Sequence, residues 1–345
     1  MNRIFVGLAL ALMALAPAHA QTASELYEKA KAEKTLVLWA GGPTAPWEAR
    51  AKLFQSAYPG IEVKIEGGFS NVLVPKMDQQ IKDKKLEVDV TVLQTLQDFR
   101  RWKKEGQLLR FKPAGWDTMD QTFKDPDGDW LGISVSMVAY AYNTEKVKKA
   151  DVPQSALDFL KPQFKGRMVT AYPADDDITL YQFHTIVQRY GWKYMDRYMA
   201  NQPNFIQGHL GVSRSISAGD NFVSFDMIVS GTLGEKNQGK PTELAFPRMD
   251  PMAMWAQGAA VFKAAPHPNA GKLFLTWMLA KEQQAKLGTW SVRSDVPPPA
   301  GLKPVFSYFV ANNYADFVSD EKRMAELRKR FEGYTGPVKN VGGVR

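Results

Sequence analysis

Two long apolar runs dominate the hydropathy pattern of the chain: WLGISVSMVAYAYN over 130–143 and MAMWAQGAAVFKA over 252–264. An apolar stretch of this length in mid-chain has to be buried on both faces. The first run is rich in Val, Ile and Tyr, and its bulk is interrupted by Gly132, Ser134, Ser136 and Ala139, which predicts strand rather than helix. The second run has the same character. Two such strands, one leaving a lobe and the other returning to it, predict a two-strand hinge between two α/β lobes. The alternative is that each is a central strand of one large sheet.

Before the first run the pattern alternates between the two periods. A helix is predicted over 24–34, a buried strand over 35–39 (TLVLW), a helix over 46–57, a strand over 61–65 (IEVKI), a helix over 72–82, a strand over 88–93 (VDVTVL) and a helix over 96–105. Short links between these elements predict a right-handed, mostly parallel sheet. Turn formers at 124–129 (KDPDGD) mark the approach to the first crossing strand. Their alternating carboxylates resemble the start of a calcium loop, but the later bidentate acid is missing and Pro126 lies inside, so a hairpin turn is expected. The alternation resumes with a strand over 167–171, helices over 178–189, 193–200 and 212–218, and a strand over 222–225 reaching Asp226. After the second run come a helix over 270–287, whose stripe Leu273, Trp277 and Ala280 is expected to pack on the first lobe, and a charged surface helix over 320–332.

The first twenty residues stand apart. Arg3 followed by the apolar run 4–16 and the small-x-small site Ala18-His19-Ala20 read as a cleaved secretory signal with Gln21 as the mature start, and no cysteine is present for a lipid anchor. Export without a single cysteine excludes disulfides, thiol catalysis and thiolate metal sites. Of 44 Lys and Arg against 36 Asp and Glu, removal of the signal takes only Arg3, which leaves 43 against 36, a net charge of +7. That excess favours anionic small ligands or surfaces. The basic residues are dispersed and no aromatic-basic module is visible, so no nucleic-acid partner is expected. HExxH and GxSxG motifs are absent, so an enzyme is not expected.

In order and spacing, LVLWAGG, LFQSAYPGIEVKI, VDVTVLQ, the two crossing strands and HPNAGKLFLTWMLAKEQQAKL resemble the type II periplasmic solute-binding proteins of ABC importers, over nearly all of the mature chain. The likeness is nearest the branch with ferric-iron, phosphonate and sugar-phosphate binders. It implies a two-lobed α/β fold, with lobe 1 formed by 21–135 and 258–345 and lobe 2 by 136–257, and a central ligand cleft that closes on a solute. It also implies a monomer in the periplasm that serves an ABC permease and ATPase complex without a cofactor. A ligand-sensing subunit would share this fold and site. The ferric members carry adjacent tyrosines after the strand that follows a helix ending in AG(D/E). Here that motif is Ala218-Gly219-Asp220, and the place of the pair falls near Val229 and Ser230, neither of them an iron ligand. Asp175, Asp176, His184, His209 and Tyr172 remain as a different hard-metal set, although no metal is expected.

Ligands of open parallel sheets bind beyond the carboxyl ends of the strands. That rule marks the loop Gly41, Gly42, Thr44 and Trp47, whose N–H groups would open a helix, and Gln94 and Thr95 before the next one. The hinge strand offers Ser134 and Ser136 on one face. From lobe 2, Ser213, Arg214 and Ser215 at the start of a short helix combine a guanidinium, two hydroxyls and a helix N-terminus. Tyr172 and the run Asp175, Asp176 and Asp177 precede a helix, which such residues cap without any ligand. A carboxylate from the run that faced the cleft would take an ammonium or sugar hydroxyls, so the solute could be a zwitterion. Asp226 is a further polar candidate, and Trp39, Trp47 and Trp255 could stack on a ring. A small anion bearing phosphate, phosphonate or carboxylate is the first expectation; a sugar, an amine and ferric iron follow.

Overall fold

A computed structural model describes residues 22–339; the signal segment read from the sequence lies outside them. The chain opens with α1 (Ala23–Glu33), β1 (Thr35–Gly41), α2 (Thr44–Ala57), β2 (Glu62–Gly68), α3 (Ser70–Lys82), β3 (Val90–Leu93) and α4 (Leu96–Lys104). β1 pairs in parallel with β2 and with β3, as the alternating pattern predicts. In α4, Leu96, Phe99 and Trp102 are buried and Arg100, Arg101, Lys103 and Lys104 lie on the remaining faces, the spacing of a one-sided helix.

The turn at 125–129 is a hairpin turn, closed by the Asp125 N–H donating to the Trp130 carbonyl at 3.1 Å. Its three carboxylates converge, but the Lys103 ammonium sits among them, 2.6 Å from Asp125 and 2.7 Å from Asp127, and supplies their countercharge.

Both long apolar runs are strands, β4 (Leu131–Asn143) and β9 (Met252–Val261), and they pair with each other antiparallel from Leu131↔Ala259 to Met137↔Met254. Between them lie β5 (Val169–Ala171), α5 (Asp177–Tyr190), α6 (Lys193–Ala200), β6 (Asn204–Ile206), α7 (His209–Ala218), β7 (Val223–Ile228), α8 (Val229–Asn237) and β8 (Thr242–Ala245). The ladder β2-β1-β3-β9-β4-β7 is continuous, so the single-sheet alternative is right about hydrogen bonding. Yet β4 changes partners halfway. Its first half pairs with β9, and its second half, from Val138, pairs with β7 and β8. The one strand thereby belongs to two lobes.

The helix expected over 270–287 is broken. It runs as α9 (Pro268–Leu279), then Ala280 is extended at φ −57°, ψ 140° before the short α10 (Lys281–Gln284). The break lets the buried Gln284 amide donate to the carbonyls of Ile133 in β4 and Met278, both at 2.8 Å. Leu273 and Trp277 are buried in the first lobe as expected, whereas Ala280 is the break itself.

The C-terminal elements β10 (Val310–Ala311), α11 (Tyr314–Val318) and α12 (Glu321–Thr335) form a strap. β10 pairs with β9, and Arg100 of α4 donates to the Ala315 carbonyl in α11 at 3.0 Å. α12, however, packs on the second lobe, with Phe331 edge-on to Phe183 of α5 at 5.5 Å, rather than on lobe 1, to which all of 258–345 was assigned. The aromatic cluster Phe159, Phe183, Tyr198 and Phe225 leaves that face of lobe 2 open to an apolar helix side, and α12 supplies it. Among the described residues no helix is long and apolar enough to cross a membrane.

Gly258 in β9 lets α4 lie against the hinge: a Cβ there would meet Phe99 at 2.8 Å and Leu96 at 2.9 Å. Gly258→Val is therefore expected to cost about 1–3 kcal/mol through overpacking, read as a lower midpoint in urea or thermal unfolding; an unchanged midpoint would mean that α4 is free to shift.

Candidate functional site

A cavity of about 430 Å³ lies where α3 and α4 of the first lobe face α5 and α7 of the second, and Arg328 of α12 reaches its edge. Four helices start at its wall. α5 is capped internally: Asp176 accepts from the N–H groups of Ile178 at 2.9 Å and Thr179 at 3.0 Å. α3, α4 and α7 begin at Phe69, Thr95 and Gly208 with no side-chain cap, so the positive ends of their dipoles lie at the cavity wall, although in α4 the Leu96 N–H already donates to the Gln94 carbonyl at 3.0 Å. In α3, Pro75 removes the usual helical donor to the Asn71 carbonyl, and both residues line the wall.

Carboxylates stand among these positive ends. Asp98, Asp175, Asp176 and Asp177 line the cavity, with Arg328 as the only lysine or arginine on its wall among the described residues. Asp177 is ion-paired to Arg328, and Asp98 to Arg101 at 3.1 Å. Asp175 accepts only a long bond from Gln207, 3.4 Å; burial first, then the charges of Asp176 and Asp177, push its pKa up. At this cavity two side-chain amides of the first lobe donate across to the second: Gln97 to Asp177 at 3.1 Å and Gln94 to Asp176 at 3.5 Å. Gln97 Oε1 is buried here without a partner, which in a folded chain calls for an explanation, and the buried Thr95 hydroxyl has only the Asp98 carboxylate to turn to.

Behind this wall a buried pair ties two helix starts together. His209, the first residue of α7, lies 3.2 Å from Asp226 through Nε2 and 4.0 Å from Asp176 through Nδ1. The hydroxyl of Thr179 donates to the same Asp226 oxygen at 2.8 Å. Burial alone would push the His209 imidazole down, but Asp226 and then Asp176 outweigh it and hold it at about 9.

The structure thus gathers Gln94, Thr95, Asp175, Asp176 and Asp177 at one cavity, and the Asp run both caps its helix and faces the cleft. The other predicted positions fall elsewhere. The Gly42 N–H is bonded to the Gly68 carbonyl at 2.9 Å, Thr44 is the first residue of α2, and Trp47 folds back toward the Gly41 carbonyl at 3.4 Å; none of these residues lines this cavity. Ser134 and Ser136 stand opposite Gln257 and Trp255 in the hinge pair and do not line the cavity. α7 begins at His209, four residues before Ser213. Arg214 therefore sits mid-helix and exposed, Ser213 is buried, and Ser215 accepts from Asn221, which removes the expected helix-start anion group. Asp226 is inside β7 and 0% exposed, and Tyr172 is buried against Phe205. Trp39 and Trp255 are core. His184 lies outside the cavity, so the alternative metal set is not assembled.

The sequence reading missed Ser70, Asn71, Gln97, Asp98, Gln207 and Arg328. Gly67-Gly68 before Phe69-Ser70-Asn71 repeats the strand, glycine pair and helix-start pattern of the loop it did choose, and was the available signal. For Arg328, which meets Asp177 across 151 positions, the sequence held none.

A cleft between two lobes, walled by helix starts and bridged by a shared strand pair, is the architecture of a binding protein of the type II periplasmic class. Comparison with known proteins agrees. Residues 49–313 match the model of the family described as bacterial extracellular solute-binding protein, and the chain belongs to that family. Among curated relatives, the Fe(3+)-binding periplasmic protein of Serratia marcescens is 27% identical over 190 residues, 52% of this chain and 56% of that relative. The chain spans about half the length of the curated relatives it matches. Among solved structures, iron-bound HitA from Pseudomonas aeruginosa superposes with a TM-score of 0.73 at 21% identity, over 86% of this chain and 99% of that one. The binding protein AfuA from Actinobacillus pleuropneumoniae, with fructose-6-phosphate bound, gives 0.73 at 20% identity, over 87% and 98%. The two-lobed type II fold expected from the sequence is therefore present.

The His209–Asp226 pair makes a pH prediction. A folded pKa of about 9 lies above the ordinary histidine value, so the pair stabilises fully below about pH 6.5 and its contribution, on the order of 3 kcal/mol, is lost as pH rises through about 9. Urea unfolding at acid and alkaline pH, with NMR titration of the imidazole, should show both. Asp226→Asn should flatten the dependence and bring the titration down; an imidazole titrating near its ordinary value in the unsubstituted protein would contradict the ion pair.

Proposed function

We propose that this protein is the periplasmic solute-binding component of an ABC importer, exported by its N-terminal signal and acting as a monomer. Its lobes close about β4 and β9 on one small solute and hand it to a membrane permease and ATPase complex. On this reading the chain crosses between lobes near 135–136 and 257–258, and α12 moves with the second lobe.

The solute carries two kinds of group: an anionic head, phosphate, phosphonate or carboxylate, and an ammonium or hydroxyl arm. The observation that carries this reading is the convergence on one cavity of uncapped helix starts from both lobes, α3 and α4 from one and α7 from the other. Each helix start is equivalent to roughly half a positive charge, so three of them suit an anion. The four aspartates exceed that charge, so a purely anionic solute is disfavoured and hydrogen-bond donors are needed on the same molecule. Asp175, with one long bond, is the acceptor for that arm, and Gln97 Oε1 gains the partner it lacks.

Ferric iron is the second reading, favoured by the relatives from Serratia and Pseudomonas and by the acidic wall. Against it, the only group of three or more His, Asp or Glu among the described residues with ligand atoms close enough to share an ion is Asp125, Asp127 and Asp129, away from the cleft. Isothermal titration calorimetry of the mature protein against sugar phosphates, aminoalkyl phosphonates, amino and hydroxy acids, neutral sugars, amines and ferric nitrilotriacetate separates the two. Compounds with both groups should bind. Thr95→Val should weaken all of them about tenfold, about 1.4 kcal/mol, and Asp175→Asn should weaken chiefly those with an ammonium arm. Heat from the ferric complex alone would overturn the first reading.

A further inference from the structure

On the far side of α5 from the cleft start, a second cavity of about 330 Å³ lies between α5 and the C-terminal strap. Its charged wall is of one sign. Arg189 comes from α5 and Arg323 from α12, and none of the described residues lining it is acidic. Each guanidinium has a carboxylate nearby but beyond hydrogen-bond reach at the atoms concerned: Arg189 Nε is 3.6 Å from Asp250, and Arg323 Nε is 3.7 Å from Asp320. Asp250 accepts three shorter bonds from other donors, the hydroxyls of Tyr140 and Tyr190 and the N–H of Ala156, so Arg189 holds only a long, shared ion pair with it.

Two buried nitrogens at this cavity have no partner, Arg323 Nε and His184 Nδ1. The His184 ring is stacked on Phe317 at 5.0 Å, and the Arg323 guanidinium lies 5.0 Å from the same ring, so the aromatic side chain holds both groups in place at the wall. Burial, with Arg323 adding to it, pushes the imidazole down to about 4, so at physiological pH it is neutral, with one ring nitrogen a donor and the other an acceptor. Two arginines, a fixed neutral imidazole and the amide of Gln188 around a pocket of this size form a donor set for oxygens of a planar or tetrahedral anion. A smaller neighbouring cavity, of about 240 Å³, shares His184, Gln188 and Arg323 and carries Glu326 with Arg330, so the acidic group nearest in that direction stands beyond the shared wall.

We propose that this cavity is a second binding site, for a small oxyanion of the phosphate or carboxylate kind, separate from the interlobe cleft. Its occupant would join α5, whose first turn carries Asp177 at the cleft, to the strap, whose α11 is held to α4 of the first lobe through Arg100. The site would therefore sit on the connection between the lobes. It does not depend on which solute the cleft takes.

Three histidines lie in the described chain, His184, His209 and His267, so imidazole NMR reports each place by itself. Inorganic phosphate titrated into the full mature protein at constant ionic strength, with chloride as the matched control, should shift the His184 signal saturably. Arg323→Gln should weaken that shift at least tenfold and Arg323→Lys restore part of it. Thr95→Val, on the cleft wall, should leave it unchanged. A His184 signal that does not move or does not saturate, one that moves equally in Arg323→Gln, or one that is lost in Thr95→Val would each overturn the second site. Circular dichroism melts of the variants establish that each is folded before its titration is read.

Discussion

The antiparallel pairing of β4 with β9 is the constraint on which the rest depends. Seven residues of β4 are spent on this pair before the strand turns to β7 and β8, and both strands are almost wholly buried along their length. Burial on both faces means that neither strand tolerates a charged side chain, and the backbone bonds between them fix the register in which the two lobes meet. Helix starts from the two lobes then fall opposite one another because each lobe hangs its helices from its own end of this shared pair. A displacement of one strand by one residue would turn every side chain to the other face, so the cavity's composition is set at the hinge rather than at its own wall.

This is also why the fold was legible in the sequence and the site only partly so. Strands buried on both faces read as unbroken apolar runs, and the alternation of short strands with one-sided helices such as α4 carries its own period. Break points depend on contacts the local pattern does not contain: Ala280 is extended because Gln284 must reach the carbonyl of Ile133, about 150 positions away. Site residues divide along the same line. Gln94, Thr95 and the Asp175 run follow from a general rule about strand ends and helix starts. Arg214 falls mid-helix because α7 starts at His209 and Leu210, residues that do not announce a helix start, one turn before the start the pattern predicts. Arg328 was illegible since its position follows from α12 docking on Phe183.

Electrostatics follow locality in the same way. The chain's positive balance is a property of its surface, while the cleft mixes uncapped helix starts with four aspartates, one of them a cap and two held by arginines. Net charge acts on approach through long-range attraction, whereas the sign of the cavity is fixed by a few groups that burial brings within one Debye length. The two scales disagree here, and the nearer one decides what can rest in the cleft.

The two amide bonds that cross between lobes at the cavity, from Gln94 and Gln97 to Asp176 and Asp177, bear on an equilibrium rather than on shape. The shorter one, from Gln97, contributes a net of about 0.5–1.5 kcal/mol, and the longer one, from Gln94 at 3.5 Å, contributes less. Contacts of this kind favour the arrangement in which the two walls stand together, and whatever they contribute need not come from the affinity for a bound molecule. On the importer reading proposed above, the same contacts would have an opposite face: a closed molecule without solute would compete with a loaded one for the permease, and discrimination would have to come from how long closure lasts.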